Sequence, residues 1–210
     1  MSCQFVKDTL ASMLSRTRRS WRVGLATVGD VLLLINGAPG VGKSTLARRY
    51  ADEHPLALII DIDAIRTQLG QWAKFDTARL VARDLALALA RAHLLSGHDV
   101  IVPQYLGRPE YRERLELLAR ETGVSFLEVL LTDDTDRITQ RFRKRRAEYA
   151  STRAEHPERD LSDEAVANEV SAANDGLLRD AIERGVLVIS ATSGTDVSYL
   201  ALCEALASEH

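Results

Sequence analysis

Hydrophobic residues occur in this chain as short uninterrupted runs, separated by longer segments in which apolar positions recur with a helical period. The runs cover residues 31–36, 56–61, 99–103, 125–131 and 186–190. Runs that are apolar at every position, rather than at alternate ones, are typical of strands covered on both faces of a parallel sheet. The pattern therefore predicts five parallel strands.

Helical patterns fill the intervals between these runs. They cover approximately residues 43–53, 76–96, 109–122, 135–147, 162–184 and 196–207. Gly97, Gly123 and Gly185 each follow one of these segments, where a helix C-cap with positive φ is expected. Strands that alternate with helices predict an α/β fold: an open five-stranded parallel sheet with helices on both faces and right-handed crossovers.

Composition narrows the class of protein. The length of 210 residues suits one domain, and the net charge of −3 gives no overall basic field, which argues against nucleic acid as a partner. Cys3 and Cys203 lie outside any metal-binding cluster, which favours a reducing cytoplasm. No apolar stretch approaches the roughly 18–20 residues that span a bilayer. We expect a cytoplasmic protein, monomer or homodimer, with no membrane span.

Residues 1–30 precede the first predicted strand and form an N-terminal extension to a domain at 31–207. Apolar residues at positions 6, 10, 13 and 14 recur at near-helical spacing and are followed by several arginines. One interpretation is a short basic amphipathic helix that touches a membrane, RNA or a partner. The other is a loosely packed terminus, partly helical or disordered.

A glycine-rich segment stands between the first predicted strand and the first predicted helix. It matches the phosphate-binding pattern G-x-x-x-x-G-K-[ST] at every fixed position. The residues are Gly37, Ala38, Pro39, Gly40, Val41, Gly42, Lys43, Ser44 and Thr45. The glycines let successive N–H groups turn inward, and the helix N-terminus adds further donors and a positive dipole end. Lys43 is expected to reach the β- and γ-phosphates and Ser44 to ligate Mg²⁺, so the segment predicts a cradle for ATP·Mg²⁺.

Such a cradle, or P-loop, is shared by kinases, GTPases and other ATPases. The small domain favours a kinase, as does the lack of an NKxD-type guanine-reading motif and of an hhhhDE segment. We therefore expect an ATP-dependent phosphotransferase that moves the γ-phosphoryl group to a hydroxyl of a small molecule.

The second apolar run ends in Ile-Asp-Ile-Asp-Ala-Ile-Arg at residues 60–66. Ligands of open α/β sheets bind beyond the carboxyl ends of the strands. In an extended chain the side chains of Asp61 and Asp63 point the same way. Asp63 lies further past the strand and is the better candidate for a general base, or for a carboxylate that holds Mg²⁺ through water. The alternative is that Asp63 only N-caps a helix that begins at Ala64. Arg66 is a candidate clamp for the acceptor or a phosphate, or a plain surface residue.

A dense run of charged residues occupies positions 137–164. It is too polar for a core crossover, so it is expected to stand away from the sheet. It is either a solvated helix with i,i+4 ion pairs or an arginine-rich lid that closes over a bound nucleotide.

These features together resemble the zeta-toxin and chloramphenicol-phosphotransferase-like P-loop kinases, close in fold to shikimate, gluconate and adenylate kinases. The resemblance spans about residues 31–207 and implies a P-loop NTPase fold. It also implies that Asp63 is the general base and that lid arginines hold the ATP phosphates. The best-placed arginines are Arg141 and Arg145, with Arg137, Arg143 and Arg146 as alternatives. Arginine suits this task because its fork of donors binds phosphate oxygens bidentately.

The third apolar run departs from that group, in which the strand often ends in Asp. Here Pro103 stands at that position. Proline cannot ligate Mg²⁺, so the metal would depend on Ser44, phosphate oxygens, water and Asp61 or Asp63. The Val-Pro pair also resembles the tunicamycin-resistance type of P-loop protein, which implies an acceptor pocket lined by Gln104, Tyr105 and Arg108.

Residues 190–194 follow the fifth run and either place an adenine base against backbone or only form a turn before a helix.

The alternatives to a small-molecule kinase are a nucleic-acid 5′-end kinase, which would use the arginines at 137–146, and a non-catalytic ATP-binding resistance or regulatory protein.

Overall fold

The computed structural model describes residues 30–152 and 162–208. Its sheet contains β1 (Val31–Asn36), β2 (Leu58–Ile59), β3 (Val100–Pro103), β4 (Ser125–Thr132) and β5 (Leu187–Ser190). All pairings are parallel, in the order β2-β3-β1-β4-β5. The predicted five-stranded parallel sheet is confirmed. The strand order, which the apolar pattern alone does not give, places β1 at the centre.

The described helices alternate with the strands. They are α1 (Lys43–Glu53), α2 (Ile62–Gln68), α3 (Ala78–Leu95), α4 (Pro109–Thr122), α5 (Thr135–Thr152), α6 (Asp163–Arg184) and α7 (Thr195–Ser208), with a 3₁₀ turn at Trp72–Lys74. Gly97, Gly123 and Gly185 have φ values of +84°, +71° and +68°, as expected of C-caps. Among the described residues, no helix is long and apolar enough to cross a bilayer.

The central strand β1 is buried along its whole length because helices cover both faces of the sheet. Leu33 and Ile35 pack in a cluster with residues of α1, α5, α6 and α7. Leu32 and Leu34 point to the opposite face and pack with residues of α3 and α4. This two-sided burial explains why the run 31–36 is apolar at consecutive positions.

Helix α5 corrects the expectation that residues 137–164 stand away from the sheet. Ile138 and Phe142 of this helix are 0% and 2% exposed and belong to the same core cluster as Val41. A helix can bury one apolar stripe while its other positions are charged, so a high density of charge did not exclude packing. Residues 153–161 of the predicted lid, and 1–29 of the predicted extension, lie outside the described residues.

Candidate active site

The carboxyl ends of β3, β1 and β4 are neighbours, and the loop 37–42 leaves the sheet from the middle of the three. An ideal Cβ on Gly37 would lie 2.5 Å from the Leu131 carbonyl oxygen of β4. One on Gly40, where φ is +88°, would lie 2.8 Å from the Ile138 carbonyl oxygen of α5. A side chain at either position would collide with backbone, so these glycines allow β4 and α5 to hold the loop tightly from outside.

Lys43 lies at the start of α1 and folds back over the loop. Its Nζ donates to the carbonyl oxygens of Gly37 at 2.8 Å and Ala38 at 3.0 Å. Ser44 and Thr45 are exposed in the same first helical turn, whose leading N–H groups precede any intrahelical acceptor. Ammonium, N–H and hydroxyl groups are the donors and oxygen ligands that fit a triphosphate with Mg²⁺.

Arg141 of α5 connects to the same loop. Its Nη1 donates to the Val41 carbonyl oxygen at 3.2 Å, and its Nη2 lies 2.8 Å from Asp133 Oδ2. Asp133 directly follows β4, and its side chain is fully buried. Its Oδ1 accepts hydrogen bonds from the Asp134 N–H and the Thr192 hydroxyl, both at 2.8 Å. The carboxylate therefore joins β4, α5 and the segment that follows β5.

The charge state of Asp133 follows from these contacts. Burial alone raises the pKa of its carboxyl. The hydrogen bonds from the Asp134 N–H, the Thr192 hydroxyl and Arg141 outweigh burial and hold the pKa below its ordinary value of 3.8. Asp133 is therefore an anion at neutral pH and keeps the Arg141 guanidinium beside the P-loop.

A cavity of about 250 Å³ opens between the P-loop, the start of α1 and the segment between β5 and α7. Its lining residues are Val41, Gly42, Thr45, Leu46, Leu131, Arg141, Ala191, Gly194, Thr195 and Ser198. Within the predicted segment 190–194, the Gly194 N–H donates to the Ala191 carbonyl oxygen at 3.2 Å. The two interpretations of this segment are thus compatible, because the turn is present and also forms a wall of the cavity.

The other predicted arginines of α5 have different surroundings. Arg145 stacks with its guanidinium carbon 5.1 Å from the centre of the Phe142 ring, one turn beyond Arg141. Arg137 Nη1 donates to the Thr192 carbonyl oxygen at 3.3 Å, and Arg143 Nη2 donates to the Asp163 carbonyl oxygen at 2.9 Å. Arg141 therefore contacts the P-loop directly, whereas Arg137 and Arg143 bind backbone of other segments.

The segment after β2 corrects two expectations. Helix α2 begins at Ile62 rather than at Ala64, and its N-cap is Asp61, whose Oδ1 accepts the Ala64 N–H at 3.0 Å. Asp63 is therefore not the cap. Asp61 and Asp63 do not share an extended segment either, because Asp63 lies in the first turn of the helix. Either aspartate could serve as a cap by sequence alone, and the short β2 ends early enough for Asp61 to do so.

Asp63 and Arg66 form a separate group on α2. The Asp63 carboxylate is 60% exposed and lies 3.9 Å from Arg66 Nη1. The Arg66 side chain is only 18% exposed and stacks over the Trp72 ring, 4.9 Å from its centre. Across the described residues, no group of three or more His, Cys, Asp or Glu side chains is arranged to hold a metal ion.

The predicted acceptor residues after β3 lie next to β1. Pro103 pairs in register with Ile35, and the Gln104 N–H donates to the Ile35 carbonyl oxygen at 3.1 Å. Tyr105 is 38% exposed. Arg108 is the exposed N-cap of α4.

Sequence reasoning missed Asn36 and Asp133. Asp133 stands two positions after the apolar run 125–131, a signal similar to the one that singled out Asp61 and Asp63, so it was open to prediction. Asn36 is the one polar residue of the run 31–36. Its hydrogen-bond partner Leu106 is 70 positions away in the sequence, so the contact leaves no local pattern.

Comparisons with known proteins agree with this geometry. A family model described as an AAA domain matches residues 32–168. An adenylate kinase of Deinococcus radiodurans is 35% identical over 143 residues, which are 60% of this chain and 72% of that protein. An adenylate kinase of Synechococcus is 32% identical over 116 residues, 50% of this chain and 63% of that protein.

Among solved structures, a chain of the PezAT chromosomal toxin–antitoxin system of Streptococcus pneumoniae is similar with a TM-score of 0.58. It is 16% identical in sequence, and the match covers 89% of this chain and 84% of that chain. At this identity the likeness concerns the fold, which is the α/β fold of P-loop NTPases.

Proposed function

We propose, from the premise that this chain belongs to the AAA domain family and carries a P-loop kinase-like domain, that it is an ATP-dependent phosphotransferase. It would move the γ-phosphoryl group of ATP to a hydroxyl of a small-molecule acceptor in the cytoplasm. The observation that supports this most strongly is that the side chains of Lys43 and Arg141 both hydrogen-bond to carbonyl oxygens of the loop 37–42.

The donor site in this proposal is formed by residues 37–45. Their N–H groups and the Lys43 ammonium bind the triphosphate, and Ser44 ligates Mg²⁺. The bound metal neutralises charge on the phosphate oxygens. Because β3 ends in Pro103, the protein supplies no carboxylate there, and the remaining metal ligands are phosphate oxygens and water, with Asp61 or Asp63 acting through water.

The arginines of the proposed lid act on the same phosphates. Arg141 already hydrogen-bonds the P-loop, and Arg145 lies one helical turn further along α5. A guanidinium that moves from a backbone carbonyl to a phosphate exchanges a neutral acceptor for a charged one, which roughly doubles the strength of the hydrogen bond. In the lid proposal, Ile138 and Phe142 remain anchored in the core, and the part of residues 137–164 that follows Phe142 changes position.

The acceptor side uses Asp63 as general base. It takes the proton of the acceptor hydroxyl as that oxygen forms a bond to the γ-phosphorus, and the bond from phosphorus to the β,γ-bridging oxygen breaks to release ADP. High exposure leaves the Asp63 carboxylate accessible to a substrate, and Arg66 holds it on one side. Arg66, Gln104, Tyr105 and Arg108 are the residues proposed to line the acceptor pocket.

A transfer assay tests this function. Purified full-length protein is incubated with radiolabelled [γ-³²P]ATP and Mg²⁺ across a panel of sugars, sugar acids, nucleosides and aminoglycosides, and labelled products are separated. We expect a labelled phosphate ester with wild-type protein and formation of that ester at least about a hundredfold slower with Lys43→Ala. If Asp63→Ala phosphorylates that acceptor at the wild-type rate, Asp63 is not the base.

A non-catalytic ATP-binding protein is the second candidate, and Pro103 is the observation that favours it. It predicts tight binding of ATP with no labelled product from any member of the panel. A nucleic-acid 5′-end kinase would instead label oligonucleotide ends, with binding that weakens steeply as salt rises. The same assay with oligonucleotides added to the panel separates these candidates.

A further inference from the structure

Asn36 is the last residue of β1 and is 2% exposed. Its Oδ1 accepts hydrogen bonds from the Gly37 N–H at 2.9 Å and from the Leu106 N–H at 3.0 Å. Its Nδ2 donates to the Leu106 carbonyl oxygen at 3.3 Å. One side chain therefore contacts the first N–H of the P-loop and both backbone polar groups of a residue in the loop after β3.

The orientation of this amide is set by its neighbours. Nδ2 also lies 3.5 Å from Glu128 Oε1, at the long limit of a hydrogen bond. The Glu128 carboxylate accepts from Arg184 Nη1 at 2.7 Å and Nη2 at 3.0 Å. Two oxygen acceptors therefore face the NH₂ group of Asn36, and two N–H donors face its oxygen. A flipped amide would place its oxygen against the two acceptors and its NH₂ group against the two donors.

Removal of Asn36 would affect the loop more than the sheet. Leu106 is 6% exposed, so its N–H and carbonyl groups have little access to water if the amide is lost. A second tie between this loop and β1 is the Gln104 N–H bond to the Ile35 carbonyl oxygen. Asp at position 36 would keep both acceptor contacts but would place a carboxylate against the Leu106 carbonyl oxygen and Glu128.

We propose that Asn36 is a positioning residue that anchors residues 104–108 to the P-loop and transmits changes in the loop 37–42 to them. Since Gly37 and Leu106 share one oxygen atom of Asn36, a shift of the Gly37 N–H when phosphate binds changes the geometry of the Leu106 contact. The inference rests on the proposed function in one respect, which is that residues 104–108 face the acceptor.

Amide hydrogen exchange measured by mass spectrometry tests the proposal without any acceptor. Wild-type, Asn36→Ala, Asn36→Asp and Asn174→Ala proteins are compared with and without Mg²⁺ and the non-hydrolysable analogue AMPPNP. Asn174 is a matched control, since it is also a buried asparagine, 8% exposed, whose Oδ1 accepts from the Thr132 hydroxyl instead.

Without nucleotide, we expect exchange in 104–108 to be about tenfold faster or more in Asn36→Ala, intermediate in Asn36→Asp and unchanged in Asn174→Ala. With Mg²⁺·AMPPNP, we expect exchange in 104–108 to slow about threefold or more in the wild type and Asn174→Ala, and to stay constant in Asn36→Ala. If Asn36→Ala does not fold, Asn36→Asp carries the same comparison.

Equal exchange in 104–108 for wild type and both Asn36 variants would overturn the anchoring role. An equal response to AMPPNP in wild type and Asn36→Ala would overturn the transmission. Failure of the wild type to bind AMPPNP contradicts the proposed function instead, and nucleotide-free exchange then decides the anchoring role alone. With an acceptor in hand, Asn36→Ala should raise the acceptor KM about tenfold and by a larger factor than the ATP KM, whereas Asn174→Ala should leave the acceptor KM unchanged.

Discussion

The two sides of the P-loop differ in how completely protein atoms define them. On the donor side, backbone approaches at Gly37 and Gly40 leave no room for a Cβ, and the buried Asp133 fixes Arg141 against Val41. On the proposed acceptor side, the Asp63 side chain is 60% exposed, and its Oδ1 lies 3.9 Å from Arg66 Nη1. In the proposed function, the triphosphate is bound mainly by backbone that a fixed motif can specify, whereas the acceptor would be selected by side chains on α2 and after β3. The donor site can therefore keep its geometry while the acceptor site changes.

Lys43→Ala should give the largest effect, because it removes the only side-chain cation within the P-loop motif itself. We expect phosphoryl transfer to fall about 10²–10³-fold. Lys74→Ala is the control, since Lys74 is exposed in the 3₁₀ turn after α2. Steady-state rates with radiolabelled ATP measure the effect, and comparable losses in both variants would contradict the donor assignment.

Asp63→Asn tests whether Asp63 acts on the acceptor or on the bound nucleotide. We expect transfer to fall about 10²-fold or more, as for loss of a general base, while the dissociation constant for Mg²⁺·AMPPNP stays within about twofold of wild type. The matched control is Asp76→Asn, at an exposed aspartate between the 3₁₀ turn and α3. Calorimetric titration gives the binding constant. A large loss of AMPPNP affinity in Asp63→Asn would place Asp63 on the donor side.

Asp133→Asn tests how far the donor side depends on its buried carboxylate. The variant keeps the shape but loses the charge opposite Arg141, so we expect the free energy of unfolding to fall by about 1–3 kcal/mol. The pKa of Asp133 is lowered in the folded protein. The contribution of this carboxylate to the free energy of unfolding is therefore complete above its ordinary pKa of 3.8, and it is lost as pH falls through the lower pKa of the folded state.

Urea unfolding of wild type and Asp133→Asn across pH measures that contribution. The difference in the free energy of unfolding between wild type and Asp133→Asn should be constant between about pH 5 and 7, and it should shrink below about pH 4. Asp175→Asn is the control, because Asp175 lies on α6 with an exposed contact to Ser171. A difference that grows on acidification would contradict the assigned charge state.

Arg66→Lys should give the smallest effect. Lysine keeps the charge near Asp63 but loses the planar stacking on Trp72, so we expect the acceptor KM to rise about three- to tenfold. Arg120→Lys is the control, since the exposed Arg120 pairs with Glu116 one turn earlier on α4. An unchanged acceptor KM in Arg66→Lys would exclude Arg66 from the acceptor pocket.

The sequence predicted those parts of the fold that depend on local pattern. The bounds of α1 and α4 agree with the predicted segments, because Lys43 follows a glycine loop and Pro109 and Gly123 mark both ends of α4. The predicted start of α2 was wrong, because two aspartates offered equivalent N-caps. The prediction that α5 stands away from the sheet was wrong, because Ile138 and Phe142 form a sparse apolar stripe within a charged run.

The candidate site was predictable to a different extent on each side. Residues 37–45 form one contiguous motif, and the structure places them between β1 and the first turn of α1, as the sequence predicted. Asn36 could not be assigned a role, because its partner Leu106 is 70 positions away along the chain. The roles in binding and catalysis remain predictions for all the candidate residues, which are residues 37–45, Asp63, Arg66, Gln104, Tyr105, Arg108, Arg141 and Arg145.

Phosphorus NMR of a reaction that contains ATP, Mg²⁺, the full-length protein and an acceptor from the panel tests the central claim most directly. We predict a new phosphate monoester resonance that grows in equal amount with ADP, and that grows at least about a hundredfold more slowly with Lys43→Ala. Release of inorganic phosphate alone, at the same rate with and without every acceptor, would contradict phosphoryl transfer to a small molecule.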